Sequence, residues 1–170
     1  MNVNEAIRTV LAVRAFQDKP VPAGIRQEIL EAAHLSASGS NKQPWHFIAI
    51  EDPERIKGLA RFTPTGPYVA EAPFVVVVAA KKGLNGLSDA SRAIQDMILV
   101  AWSEGVGSNW VGWGNTLDGV KEFVGIPSES DLEIIAVLPF GYPVESVGKG
   151  KKNRKPFDEV IHRETFSGVA

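Results

Sequence analysis

Two nearly continuous apolar runs constrain the fold of this chain more than any other feature. Residues 74–80 (FVVVVAA) and 132–140 (LEIIAVLPF) are rich in β-branched side chains. Successive side chains of a strand point to opposite faces, so a strand that is apolar almost throughout has both faces covered. With a third predicted strand at Trp45–Ile50, the pattern favours an α+β fold in which helices sandwich a sheet.

Apolar residues at helical spacing predict six helices around these strands. They cover residues 4–12, 22–33, 53–61, 88–104, 116–125 and 157–163. Asp52 followed by Pro53 is a typical helix start, and Ser88 or Asp89 is the predicted cap of the fourth helix. That helix has the widest apolar face, so we expect it to be buried at the centre, with Asp89 and Asp96 as charges on its surface.

Composition places the chain among single-domain globular proteins. Its 170 residues are 44% hydrophobic and 22% charged, with a formal charge of −2, and we treat residues 1–170 as one domain. The absence of cysteine excludes disulfides and thiolate nucleophiles, and three isolated histidines give no metal-ligand pattern. The longest apolar run, residues 72–80, is too short to span a bilayer, and no signal-peptide pattern is present. We therefore expect a cytoplasmic protein without a metal or a membrane partner.

A basic segment lies near the end of the chain. Residues 148–155 (GKGKKNRK) contain five basic residues in eight, and such a segment can bind an anionic partner such as nucleic acid. The rest of the chain then carries about −7, which is the total of −2 less these five charges, and it shows no basic face with interleaved aromatic residues. An exposed arm is therefore favoured over a nucleic-acid-binding module.

A polar segment, residues 36–47 (SASGSNKQPWHF), joins the second predicted helix to the first strand. Ser38, Ser40, Asn41 and Gln43 carry hydrogen-bonding groups suited to the edge of a heterocycle or to ribityl hydroxyls. The same residues can serve only as capping groups and turn formers. Both interpretations remain open from the residues alone.

A second candidate segment, residues 105–114 (GVGSNWVGWG), is rich in glycine and tryptophan. It lacks the G-x-G-x-x-G spacing of a dinucleotide fingerprint, and it follows a helix where that fingerprint follows a strand. It is either a helix-ending turn or a backbone that approaches a flat ligand. In the second case Gly112 permits the close approach, and Trp110 and Trp113 offer stacking surfaces.

Three cationic residues, Arg14, Lys152 and Arg154, lie far apart in the sequence. Separately, each is interpreted as a solvated surface charge. If they converge, the arginines supply bidentate forks and the lysine a point charge, which together would hold a phosphate.

Taken in order, these segments resemble the nitroreductase family of FMN enzymes over nearly the whole chain. Residues 38–47 match its S-x-x-N-x-Q-P-W-x-F loop, and residues 138–143 (LPFGYP) are similar to the end of one of its strands. Residues 13–16 (VRAF) look like its phosphate-binding segment, and residues 152–156 (KNRKP) look like its late basic motif. The resemblance implies a three-layer α/β/α sandwich with a central, mostly antiparallel sheet, in an intertwined homodimer.

The resemblance also implies roles for the candidate residues. The FMN phosphate would be held by Arg14, Lys152 and Arg154. The partner subunit would contact the flavin and its ribityl chain through Ser38, Ser40 and Asn41, with Gln43 nearby. The backbone at Val111 and Gly112 would reach the N5 side of the flavin.

The implied activity is an NAD(P)H-dependent, two-electron reduction of a small planar acceptor by a ping-pong mechanism. A nitroaromatic, a quinone or an enone would be such an acceptor. The flavin carries the chemistry, so no catalytic side chain is required. The candidate walls of the acceptor site are Phe62, Tyr68, Trp110 and Trp113.

The chain departs from the family pattern at Val10-Leu11-Ala12, where the family has Arg-Arg-Ser. A charge-assisted hydrogen bond contributes about 1.5–3 kcal/mol and a neutral one about 0.5–1.5 kcal/mol, so losing both would weaken FMN binding on the order of a hundredfold or more. Arg8 or a residue of the basic segment is a candidate replacement, and another flavin such as a deazaflavin is a further option. The departure motivates an alternative function, a flavin-binding or sequestering protein without turnover.

Overall fold

A four-stranded antiparallel sheet forms the centre of the computed structural model, which describes residues 1–112, 117, 119–144 and 152–166. Its strands are β1 (Trp45–Ile50), β2 (Phe74–Lys81), β3 (Gly107–Ser108) and β4 (Leu132–Gly141). Their order across the sheet is β1-β2-β4-β3. The mostly antiparallel sheet expected from the sequence is therefore confirmed.

Strand β2 is the most enclosed element of the sheet. It pairs with β1, where Val78 lies opposite Phe47, and with β4, where Val76 lies opposite Leu138. Every residue of β2 except Lys81 is buried. Both of its faces are covered, as the continuous apolar run predicted.

Five helices surround the sheet. They are α1 (Val3–Thr9), α2 (Ala23–Leu35), α3 (Pro53–Ala60), α4 (Leu84–Ser103) and α5 (Val120–Phe123). The predicted start of α3 is confirmed, because the Asp52 carboxylate accepts hydrogen bonds from the amides of Glu54 and Arg55.

Two separate apolar clusters cover the two faces of the sheet. On one face, Val76 and Val78 of β2 pack with Ile29 of α2 and with Ile94 and Met97 of α4. On the opposite face lies a second cluster, which contains Val75, Val77, Ile56, Leu59 and Val120. The even and odd residues of β2 thus point into different layers, which gives the predicted three-layer sandwich.

Helix α4 begins earlier than predicted, at Leu84, and not at Ser88 or Asp89. Its first turn packs closely on the end of β2. A Cβ atom on Gly86 would lie 1.9 Å from the carbonyl oxygen of Lys81, so only glycine fits there. Asp89 lies inside the helix and therefore does not cap it; its side chain accepts hydrogen bonds from Gly39 and Arg92.

Other element boundaries also differ from the prediction. Helix α1 ends at Thr9, and the following residues run along the sheet edge, where Ala12 bridges to Ser108 of the unpredicted strand β3. Thr116 lies outside the described residues, and the helix predicted after it is a single turn at Val120–Phe123. The predicted last helix is a 3-10 turn at Phe157–Glu159.

We expect Met97→Ala to lower the free energy of unfolding by about 2–5 kcal/mol, because Met97 is fully buried between α4 and the sheet and its removal leaves a cavity. Gln95→Ala is the matched control, since Gln95 lies on the same helix and is exposed, and it should change stability by less than about 0.5 kcal/mol. Equilibrium unfolding in urea measures both. Equal losses in the two variants would contradict the packing described above.

Candidate functional site

The polar loop between α2 and β1 has an unusual backbone. Three of its non-glycine residues lie in the left-handed region, with φ of 53° at Ser40, 57° at Asn41 and 46° at Gln43. Such residues cost about 1–3 kcal/mol each and concentrate at ligand sites, where surrounding contacts hold them. The backbone conformation therefore favours the ligand interpretation of this loop over an ordinary turn.

Internal hydrogen bonds fix the shape of the loop. The amide of Gln43 donates to Ser38 Oγ at 2.9 Å. The side-chain amide of Gln43 donates to the carbonyl oxygen and to Oδ1 of Asn41, each at 3.2 Å. Three of the four predicted loop residues are thus tied to one another, and the side chains of Asn41 and Ser40 remain exposed to solvent.

Two carboxylates of α4 anchor the chain that leads into the loop. Asp89 is buried, with 4% of its surface exposed, and both of its oxygens lie 3.2 Å from the amide of Gly39. Arg92 donates to the same carboxylate at 3.0 Å. Asp96 accepts a hydrogen bond from Ser36 Oγ, just before the loop. The prediction of a helix-surface charge was wrong for Asp89, which is buried, whereas Asp96 is partly exposed.

Backbone hydrogen bonds on both sides hold the segment that carries Arg14. The amide of Val13 donates to the carbonyl of Ser108 at 2.9 Å, and the amide of Val144 donates to the carbonyl of Ala15 at 3.2 Å. The side chain of Arg14 is exposed, and it has no hydrogen-bond or ion-pair partner among the described residues. Arg14, with a guanidinium that no described residue binds and a backbone held on both sides, is therefore suited to binding an anion.

The other two predicted phosphate ligands lie together beside α1. Lys152 Nζ donates to the carbonyl of Ile7, which brings the late basic motif back to the N-terminal helix. Burial, followed by the charge of Arg154, lowers the pKa of Lys152 below its ordinary value. Lys152 and Arg154, two residues apart in the sequence, thus lie near enough to interact through their charges, and Arg14 lies on the segment that follows α1.

The backbone groups of Val111 and Gly112 differ in their hydrogen-bond partners. The amide of Val111 donates to Val137 at 3.0 Å and its carbonyl accepts from Val137 at 2.8 Å, so this residue belongs to the sheet edge. Gly112 has φ of 136°, and a Cβ there would lie 2.8 Å from Leu117 Cδ1. Trp110 Nε1 donates to the carbonyl of Gly112 at 3.0 Å. Of the two predicted residues, only Gly112 has an amide that no described residue uses.

The predicted aromatic walls do not converge within one protomer. Phe62 and Tyr68 pack against the cluster that contains α3, where Phe62 contacts Phe123 with ring centroids 5.7 Å apart. Trp110 packs against the cluster on the opposite face. The Tyr68 hydroxyl accepts a hydrogen bond from Asn109 Nδ2, a contact that the sequence did not indicate. Trp113 lies outside the described residues.

A metal site finds no support in the described ranges, since no group of three or more His, Asp or Glu side chains could hold an ion there. Likewise, no helix of the described chain is long and apolar enough to cross a membrane.

We expect Asp89→Asn to lower the free energy of unfolding by about 1–3 kcal/mol, because the substitution leaves Arg92 without its buried partner and weakens the bond to Gly39. Hydrogen exchange at the Gly39 amide should accelerate at the same time. Glu104→Gln is the control, since Glu104 is exposed at the other end of α4. If Gly39 exchanges at the same rate in both variants, Asp89 does not anchor the loop.

Comparison with known proteins agrees with this architecture. The model of the Nitroreductase family matches residues 8–65 and 63–142 of the chain. A protein of Methanothermobacter thermautotrophicus, provisionally named NADH dehydrogenase/NAD(P)H nitroreductase, is 32% identical, covering 98% of this chain and 88% of its own length. The FMN reductase (NADPH) of Bacillus subtilis is 28% identical, covering 97% and 76% respectively.

A solved structure gives the same result at the level of the fold. The FMN-dependent nitroreductase of Clostridium difficile superposes with a TM-score of 0.84 at 25% identity, covering 96% of this chain and 99% of that protein. The three-layer sandwich is thus shared with that protein. This chain belongs to the nitroreductase family.

Proposed function

We propose that this protein is an NAD(P)H-dependent flavin oxidoreductase that binds FMN between two copies of the chain. Its membership of the family supports this, as do relatives whose names specify FMN and NADPH. The observation that carries the proposal is the loop with Ser40, Asn41 and Gln43 in the left-handed region, which Asp89 fastens to the central helix. A chain that keeps such a backbone holds polar groups in place for a ligand.

The loop has the donors and acceptors that a flavin requires. Ser38 Oγ accepts the Gln43 amide, so its hydrogen remains free to donate to a ligand. The exposed side chains of Ser40 and Asn41 add further groups suited to ribityl hydroxyls and ring nitrogens. These residues would serve the flavin bound mainly by the partner subunit, as the family pattern implies.

The phosphate group would bind to Lys152 and Arg154, with Arg14 approaching from the segment after α1. Burial, and then repulsion by the positive charge of Arg154, lowers the pKa of Lys152. A bound phosphate would relieve this repulsion, because an opposite charge favours the protonated ammonium. The electrostatic energy of these cations is therefore lower with an anionic group bound than without one.

The missing Arg-Arg-Ser affects side chains and not the backbone frame. Ala12 pairs with Ser108 through main-chain atoms only, so its small side chain leaves that pairing intact. Phosphate binding would then depend on the three remaining cations, Arg14, Lys152 and Arg154. We infer weaker FMN binding than a chain with the complete motif would have, without a change of fold.

The site would hold FMN, which would supply the two-electron redox chemistry between NAD(P)H and the acceptor. The overall balance is NAD(P)H, a proton and an oxidised acceptor in, and NAD(P)⁺ and the doubly reduced acceptor out. The unused amide of Gly112 would donate to the cofactor, with its carbonyl held by Trp110. Planar acceptors such as nitroaromatics, quinones and enones would bind after the reductant leaves.

We expect the purified protein to take up FMN and to oxidise NADH or NADPH when a quinone or a nitroaromatic is supplied. Arg14→Gln and Arg154→Gln should each weaken FMN binding by about 10–100-fold, since a hydrogen bond to a charged group contributes about 1.5–3 kcal/mol. Arg61→Gln is the control, because Arg61 is exposed at the end of α3. Fluorescence titration with FMN and sedimentation of the complex measure affinity and dimerisation.

The same experiment distinguishes the two functions that the sequence left open, an oxidoreductase and a flavin-sequestering protein. Turnover with parallel lines in double-reciprocal plots supports the ping-pong oxidoreductase. Tight FMN binding without NAD(P)H oxidation, across quinone and nitroaromatic acceptors, supports the sequestering protein instead. A colourless protein that neither binds FMN nor oxidises NAD(P)H would contradict both.

We expect FMN to raise the pKa of Lys152, and Arg154→Gln to raise it in the free protein, because each change removes or offsets a positive charge beside the ammonium. The pKa of Lys152 is lowered from 10.5 in the folded chain. Stability should therefore increase as the pH rises from the lowered value toward 10.5, where the unfolded chain binds more protons than the folded one. NMR titration of the lysine side chains measures both shifts, with Lys155→Gln as the control. No movement on addition of FMN would argue against a phosphate at Lys152.

A further inference from the structure

A second cationic region lies beside the polar loop. A cavity of about 520 Å³ is enclosed by the loop, the end of β2 and the first turns of α4. Four cations line it against a single carboxylate, and the charged residues are Lys42, Lys81, Lys82, Arg92 and Asp89. Its volume is in the range of small-molecule sites.

Part of this positive charge is uncompensated. Arg92 is paired with Asp89 at 3.0 Å, and Lys81 lies 3.8 Å from Asp131. The side chains of Lys42 and Lys82 have no hydrogen-bond or ion-pair partner within the described residues. Two free ammonium groups thus face one cavity, and two further cations with paired charges border it.

Two other cavities of the described chain carry the opposite charge. The cavity beside α3 is lined by three carboxylates and one lysine, and the cavity beside α5 by two carboxylates and one lysine. The protein as a whole carries −2. A local excess of positive charge in a protein of net negative charge attracts anions to that place and not to the surface in general.

The cavity also adjoins the proposed flavin site. Ser40 lines it, and Ser40 is one of the loop residues proposed to contact the flavin of the partner subunit. Lys42 lies between Asn41 and Gln43 in the same loop. A ligand that places one end on the flavin and carries phosphates at the other could therefore reach these ammonium groups. The reductant is such a molecule.

We propose that this cavity binds the phosphate groups of the pyridine dinucleotide and that it selects NADPH over NADH. The inference rests on the proposed oxidoreductase function. Both dinucleotides carry a diphosphate, and NADPH carries one more phosphate on its adenosine ribose. Additional negative charge is bound more tightly by a cavity with free ammonium groups, and the preference falls as salt screens the exposed charges.

The test variant is the double substitution Lys81→Gln and Lys82→Gln, which removes two charges at the end of β2 and leaves the loop residues unchanged. The control is the double substitution Lys57→Gln and Arg61→Gln, which removes two charges from α3 on the opposite face of the sheet. We expect the test variant to raise KM for NADPH about tenfold and KM for NADH only a few-fold, since each exposed ion pair contributes a few-fold. The value of kcat and the FMN content should match those of the control.

A binding measurement decides the question without turnover. Calorimetric titration with 2′,5′-ADP should show binding to the wild-type protein and the control, and about tenfold weaker binding to the test variant. Equal KM values for NADPH in the two variants would overturn the proposal. So would inorganic phosphate that binds as tightly as 2′,5′-ADP, because the cavity would then be a general anion site.

Failure of this inference differs from failure of the proposed function. If the wild-type protein oxidises NADPH and NADH equally well and 2′,5′-ADP does not bind, the oxidoreductase function stands and the phosphate site falls. If the wild-type protein oxidises neither dinucleotide although FMN is bound, the oxidoreductase function falls. Binding of 2′,5′-ADP that depends on Lys81 and Lys82 would then still support a phosphate site here.

Discussion

The polar loop depends on one buried carboxylate. Asp89 exposes 4% of its surface and faces both Arg92 and the amide of Gly39. A charge so enclosed is stable only when it is paired and hydrogen-bonded, so the two partners are required and not incidental. Because Ile94 and Met97 bury α4 in the core one to two turns later, the position of the loop is set by a helix that packs on the sheet. The strained backbone at Ser40 follows a residue, Gly39, whose amide is hydrogen-bonded to Asp89.

The elements that the sequence predicted well are those whose signal is local. The apolar run at residues 74–80 corresponds to β2 (Phe74–Lys81) almost residue for residue, because burial on both faces leaves its mark on every position. Elements set by distant contacts were missed. Strand β3 is two residues long and exists because β4 and the segment after α1 pair with it. The last predicted helix has its apolar residues in solvent, with Phe157 66% and Val160 53% exposed, and without a core contact only a 3-10 turn forms.

The candidate site was likewise predicted only in part, since motifs identified residues but not the distant contacts that hold them. The resemblance selected the loop residues and the late basic motif, yet it could not say what holds them, since Gly39 and Asp89 are 50 residues apart in sequence. The amide of Val111 was assigned to the ligand, whereas it pairs with Val137 in the sheet. Trp110 and Val111 are consecutive in an extended segment and point to opposite layers, and Tyr68 packs in the layer of Val111. The sequence does not assign Tyr68 to either layer, so the separation of Trp110 from Tyr68 could not be predicted.

The distribution of charge explains how a chain with a net charge of −2 can serve anionic ligands. Its cations act in two groups, one beside α1 with Lys152 and Arg154, and one around Lys82 at the start of α4. In the first group Lys152 lies beside Arg154, and in the second Lys42 and Lys82 line a cavity without a paired acid among the described residues, which raises the free energy of the ligand-free protein. An anion that enters either group removes repulsion as well as gaining attraction. Under the proposed function, a chain that lacks the Arg and Ser of its family motif would still bind a phosphate, because no ion pair within the described residues neutralises Arg14, Lys152 or Arg154.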